Sequence, residues 1–156
     1  MSSVKLRHYS VPSYRRWLLA NLESDITRST VSPERYDSFV DLVKNARPDL
    51  VESFEHELVE LCTYYLTRVK RPDQSMECAV GNFHVRNGAT LWRINFGLSA
   101  NENFYILKLI IGANKFDYGM RESLSIMVNY RYYFDKMWHQ AYDYQTDRTV
   151  ATSELI

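Results

Sequence analysis

Hydrophobic and polar residues in the first half of this chain recur at helical spacing; past Pro72 they change to strand-like alternation. Pro12 to Leu22 reads as a helix started by Pro12 or Ser13, with Tyr14, Leu18, Leu19 and Leu22 along one side. Ser32-Pro33 predicts a second start, Ser32 as N-cap and Pro33 pre-set for the first turn, and Tyr36, Phe39, Val40 and Val43 make its stripe. Pro48 opens the longest predicted helix, Pro48 to Val69, whose apolar side runs from Leu50 and Val51 through Phe54, Leu58, Leu61, Cys62, Tyr65 and Leu66.

Beyond Pro72, β-branched and aromatic residues alternate. Asn87-Gly88 is a strong hairpin signal, because both residues tolerate positive φ and the resulting type I′ turn matches the twist of paired strands. The pattern therefore pairs Val80–Arg86 with Ala89–Phe96 and predicts further strands at Phe104–Ile111 and Leu124–Tyr132, with a polar loop through Gly112, Asn114 and Gly119 between them. Helical spacing returns after Tyr133, through Phe134, Met137 or Trp138, and Ala141. The arm 1–9 and the polar tail 145–156 are expected to be flexible. Helices, then strands, then a short helix indicate one α+β domain over 1–156, a helical N-terminal half packed on a mostly antiparallel sheet.

In the hairpin register, Val85 faces Thr90, His84 faces Leu91, Phe83 faces Trp92 and Asn82 faces Arg93. One face then carries Phe83, Val85, Trp92 and Ile94 as core, and the other gathers Asn82, His84, Arg86, Leu91, Arg93 and Asn95. An imidazole beside guanidinium and carboxamide groups is suited to proton transfer and to holding an anion such as a carboxylate. The plain alternative is a solvated polar face, which antiparallel sheets routinely present.

Composition narrows the class. The chain has 156 residues, enough to bury a core without disulfides or metals. Its 19 basic and 19 acidic side chains cancel, so no global field draws it to nucleic acid or an anionic membrane, and neither partner is expected. Cys62 and Cys78 are not in a C-x-x-C pair, which argues against a disulfide framework or structural zinc and fits a reducing cytoplasm. The longest apolar run, Phe104 to Gly112, contains Lys108 and is too short to span a bilayer. His56-Glu57 begins like a zinc-protease box, but Glu60 stands where a second histidine is required, so no metal site is expected. The aromatic run Tyr130 to Tyr144 reads as packing between the last strand and helix, and an aromatic-lined pocket for a planar organic substrate would give the same pattern.

The segment NFHVRNGATLWRIN (Asn82–Asn95), followed by SLSIMVNYRYYF (Ser123–Phe134), resembles the C-terminal part of malonyl-CoA decarboxylases, which carry an NFHxxNGAxLWRIN segment before an MANYRYF segment. YSVPSYRRWLLANL (Tyr9–Leu22) and LVELCTYYL (Leu58–Leu66) are weaker stretches of the same region in the same order. The resemblance implies a GNAT-like domain and a decarboxylation of malonyl-CoA that needs no cofactor. Carbon dioxide leaves, and the thioester enolate left behind must be stabilised and protonated. By motif it implies His84 and Tyr132 as catalytic residues, with Asn82, Arg93, Asn95 and Arg86 expected to bind substrate.

The chain departs from the family pattern in two ways. No serine sits in a segment matching the family's catalytic serine, and extra residues, including FYILKLIIG, separate the two motifs. The chain therefore looks like the back half of an enzyme, and an uncovered sheet edge predicts a homodimer. The expected function is a small decarboxylase-like enzyme acting by acid/base chemistry on an acidic or thioester-linked substrate, CoA or carrier-protein bound, in a specialised biosynthetic pathway. The competing expectations are an isomerase or cyclase that uses the same histidine, and a binding remnant without activity.

Overall fold

The computed structural model describes residues 4–96 and 120–156. The predicted strand at 104–111 and the loop after it lie outside the described residues. In chain order the elements are β1 (Val4–Ser10), α1 (Tyr14–Ala20), α2 (Asp25–Thr30), a 3-10 turn (Pro33–Arg35) leading into α3 (Tyr36–Asn45), α4 (Pro48–Val51), a second 3-10 turn (Glu52–Phe54), α5 (Glu55–Arg68), α6 (Ala79–Arg86), β2 (Thr90–Phe96), β3 (Ile126–Tyr133) and α7 (Met137–Asp147). The class is α+β, and the three strands form one small antiparallel sheet in the order β1-β3-β2.

The described residues of Met1–Tyr9, Thr63–Ile94 and Met127–Ile156 form one compact unit, and those of Ser10–Cys62 and Asn95–Ile126 form another. The second unit is the helical one. Tyr14 and Leu18 of α1, Phe39, Leu42 and Val43 of α3, and Leu58, Leu61 and Cys62 of α5 are fully buried, so the periodicity seen in the sequence is the packing periodicity. The Tyr14 hydroxyl donates to the carbonyl of Leu58 at 2.7 Å, and burial pushes its phenol pKa up. Arg35 lays its guanidinium 4.2 Å over the Phe54 ring while pairing with Glu57. Pro33 begins a 3-10 turn, and α3 follows only at Tyr36.

The first unit holds the sheet, α6 and α7, and three expectations are corrected there. Val80–Arg86 is not the first strand of a hairpin: Ala79–Arg86 is the helix α6, and only the second half of the segment, β2, is a strand. Within the arm, Val4–Ser10 is regular structure, an outer strand of the sheet. The tail also pairs. The Leu91 amide donates to the Ala151 carbonyl at 2.8 Å, the Ser153 amide donates to the Leu91 carbonyl at 3.1 Å, and Thr152 forms a parallel bridge with Leu91. Backbone groups hydrogen-bond whatever side chains they carry, so a polar composition does not prevent the tail from covering β2.

Candidate active site

The site begins at α6. The Cys78 sulfur caps its first turn, accepting from the Gly81 amide at 3.4 Å. At the other end Asn87 is the last residue with near-helical backbone, and Gly88 turns left-handed at φ 86°. The Gly88 amide donates to the Val85 carbonyl at 2.9 Å and the Ala89 amide to the His84 carbonyl at 3.0 Å, the paired bonds of a Schellman stop. A side chain at Gly88 would collide with the next helix, its Cβ lying 1.9 Å from the Met137 carbonyl oxygen. Asn87-Gly88 therefore ends a helix instead of joining two strands, and glycine is needed for both conformation and space.

Recasting the segment as a helix exchanges its faces. Gly81, His84 and Val85, at helical spacing, turn inward, while Phe83, assigned to the core by the strand register, is 62% exposed. His84 is 4% exposed. Its ring stacks on Tyr130 at a centroid distance of 4.5 Å and an interplanar angle of 19°, and Tyr9 of β1 lies 4.4 Å away at 43°. The Phe83 and Tyr132 rings meet it edge-on at 5.2 and 6.0 Å. Nδ1 of His84 is 2.6 Å from the Tyr132 hydroxyl oxygen. With the Nε2–H tautomer of the neutral imidazole the phenol O–H donates to Nδ1; with the Nδ1–H tautomer or the imidazolium, Nδ1–H donates to the phenol oxygen. Tyr130 and Tyr132 are two apart on β3 and share a sheet face, so one strand supplies both the platform and the hydrogen-bond partner.

This arrangement can store and pass a proton. A histidine in an aromatic surround, bonded to a phenol, suits donation to a carbanion or enolate. A match to the malonyl-CoA decarboxylase C-terminal domain model runs from residue 4 to residue 156. The chain belongs to the malonyl-CoA decarboxylase C-terminal domain family. The mitochondrial malonyl-CoA decarboxylase of Rattus norvegicus is 31% identical over 69% of this chain, and that of Anser anser anser is 25% identical over 94%. Among solved structures, malonyl-CoA decarboxylases from Rhodopseudomonas palustris (TM-score 0.70, 22% identical, 97% of this chain) and Agrobacterium vitis (TM-score 0.72, 24% identical, 99%) share the fold. The chain spans 18% and 30% of the two curated relatives and 31% and 34% of the two solved chains.

Of the six candidate residues in this malonyl-CoA decarboxylase family domain, the structure brings His84 and Tyr132 together and scatters the rest. Asn82 is bound internally: its Oδ1 accepts from the buried Tyr144 hydroxyl at 2.6 Å, and the same hydroxyl oxygen accepts from the Met76 amide at 2.8 Å. Arg86 and Arg93 are exposed and Asn95 is half-buried, so the six do not make the single polar face that the hairpin register required. Asn82 and Arg86 are four apart on α6, whereas His84 between them points inward.

Sequence spacing does not point to Tyr9 or Tyr130 as site residues. Tyr9 falls in the expected arm, and the Tyr130–Tyr132 alternation is visible only without the helix that lies beside it. The other face of β3 carries Arg131, whose guanidinium lies over the rings of Trp92, at 5.0 Å, and Tyr133, at 5.2 Å. In the helical unit, Glu52, Ser53, Glu55, His56, Val59 and Glu60 line an open surface groove, with His56 Nδ1 3.7 Å from Glu60. Among the described residues no three His, Cys, Asp or Glu side chains are placed to share a metal ion, and no helix is long and apolar enough to cross a membrane.

Proposed function

We propose that the chain supports decarboxylase-like chemistry on a β-carboxy CoA thioester, with His84 and Tyr132 as the proton-handling pair. The observation that carries this reading is the 2.6 Å contact between Nδ1 of the buried His84 and the half-buried Tyr132 hydroxyl, beside the buried ring of Tyr130. Family membership supplies the substrate class, since the named relatives are malonyl-CoA decarboxylases. In the proposed step the bond between the α-carbon and the carboxylate breaks, carbon dioxide leaves, and the electron pair passes into the thioester as an enolate. A proton held by the His84–Tyr132 pair then goes to the α-carbon, and solvent restores it. Burial strengthens the pair's electrostatic effect on the developing charge.

The test is to incubate the purified chain with malonyl-CoA, a malonyl carrier-protein thioester and free malonate, measuring released carbon dioxide and the new acyl thioester. Turnover of malonyl-CoA is expected, and both His84→Ala and Tyr132→Phe should lower it by about 10²- to 10⁴-fold, the usual worth of a general acid. Full activity in His84→Ala, or no turnover of any of the three substrates, overturns the reading.

A further inference from the structure

A histidine on a helix has two side-chain torsions, and only the first is tightly restricted. The terminal torsion is broad and roughly two-fold, so the plane of the imidazole and the choice between its two flipped states must be determined from outside. The His84–Tyr132 bond can select the flip, because turning the ring over replaces Nδ1 by a carbon at the hydrogen-bonding position. A bond to one ring nitrogen still lets the plane rock about it. Holding the plane takes a contact against the face of the ring.

We propose that Tyr130 is the positioning residue that fixes the plane of the His84 imidazole, so that Tyr130 sets the plane and Tyr132 sets the flip. The stack is nearly parallel, 19° at 4.5 Å, and Tyr130 is only 1% exposed. Tyr130 is itself clamped, and the residue that admits it is Gly81, three residues before His84 on the same inward face of α6. A Cβ at Gly81 would stand 3.2 Å from the Tyr130 hydroxyl oxygen and 2.6 Å from Cε of Met76. The absent side chain leaves room at the start of the helix for the Met76 methyl and the phenol end of Tyr130, whose ring stacks on the histidine.

Tyr9 completes the holder without duplicating it. The centroid separations of 4.4 Å (Tyr9 to His84), 4.5 Å (Tyr130 to His84) and 6.0 Å (Tyr9 to Tyr130) form a triangle with nearly a right angle at His84. Tyr9 and Tyr130 therefore approach the imidazole from directions nearly at right angles and do not lie on its opposite sides. An imidazolium is held by the same phenol face through its ring quadrupole, so the platform serves both protonation states of the cycle.

The proposal rests on His84 being the proton-handling residue, and its test separates the two ideas. His84 ring protons should show upfield ring-current shifts in NMR spectra of the intact chain. Tyr130→Phe, which keeps the ring, should retain those shifts and stay within a few-fold of the parental kcat. Tyr130→Leu, which keeps bulk but no ring, should lose the shifts and lower kcat by on the order of 10²-fold, the effect of misplacing a reacting group by about 1 Å. KM should change little. Gly81→Ala leaves both aromatic rings in the chain and pushes the Tyr130 hydroxyl away from the helix. It should move the His84 shifts even if Tyr130→Leu does not fold. Parental kcat in a folded Tyr130→Leu, or parental His84 shifts in Gly81→Ala, overturns the positioning role. Because the spectra need no substrate, they test the role of Tyr130 even in a chain that turns over no thioester.

Discussion

Replacing Gly88 by alanine tests the helix stop from which the site is built. Two costs are legible in the structure. At φ 86° an L-residue pays the left-handed penalty, about 1–2 kcal/mol. Its new Cβ also falls 1.9 Å from the Met137 carbonyl oxygen, 2.6 Å from the carbonyl carbon and 2.9 Å from Cα. All three atoms are backbone at the start of α7, so no rotamer relieves the collision, and forcing α6 and α7 apart adds about 1–3 kcal/mol. The sum, about 2–5 kcal/mol, is a large part of the roughly 5–15 kcal/mol that keeps a domain folded. Urea unfolding followed by far-ultraviolet circular dichroism should show the midpoint of Gly88→Ala lowered by roughly 1 M or more at an unchanged slope. Gly88→Asn, which tolerates the left-handed conformation, should recover only the dihedral part. A loss no larger than the dihedral part alone, below about 2 kcal/mol for Gly88→Ala, would refute the reasoning, since a plain two-residue hairpin turn carries that cost without the backbone collision.

Two further outcomes are expected. Tyr144→Phe removes the acceptor for the Met76 amide and the donor to Asn82 in a fully buried position, and should cost about 1–3 kcal/mol with faster hydrogen exchange at Met76. If Tyr144→Phe leaves exchange at Met76 unchanged, the network is not the constraint described. The Asp73 carboxyl is held below the ordinary aspartate range, first by the Ser75 hydroxyl and then by the Ser75 amide. A depressed folded-state pKa contributes stability that is present above the unfolded value and lost as pH falls through the folded one. Ser75→Ala should therefore raise the Asp73 titration midpoint and shift the onset of acid unfolding to higher pH. Carboxyl NMR titration reads the first effect directly, and an unmoved midpoint contradicts the assignment.

Most helices were legible because their apolar rows are long. α5 repeats buried Leu58, Leu61, Cys62, Tyr65 and Leu66, a row that no strand pattern can produce. Ala79–Arg86 was not legible, since in so short a stretch Phe83 and Val85 fit alternation as well as about two turns of helix. Asn-Gly did not break the tie. A type I′ hairpin and a Schellman stop both place glycine at positive φ, and what separates them is the Met137 backbone packed against Gly88, which lies far along the chain. The motifs named His84 and Tyr132, but their separation of 48 positions hid their contact until the strand order put β3 in the middle of the sheet. Tyr9 was beyond reach for the same reason. Its role depends on β1 pairing with a strand that comes more than a hundred residues later.

The carbonyl of His84 accepts amides from both Asn87 and Ala89, so the residue proposed to move the proton is also the peg on which the helix is tied off. For anyone improving this protein by directed evolution, residues 84 to 89 then make a poor target for separate gains in robustness and turnover. A substitution that tightens or loosens the knot re-aims the imidazole with it, and selection for one property will drag the other along. The tail paired with β2 is the better place to begin, because its contacts to Leu91 and Trp92 run through backbone and one serine and leave the ring cluster untouched.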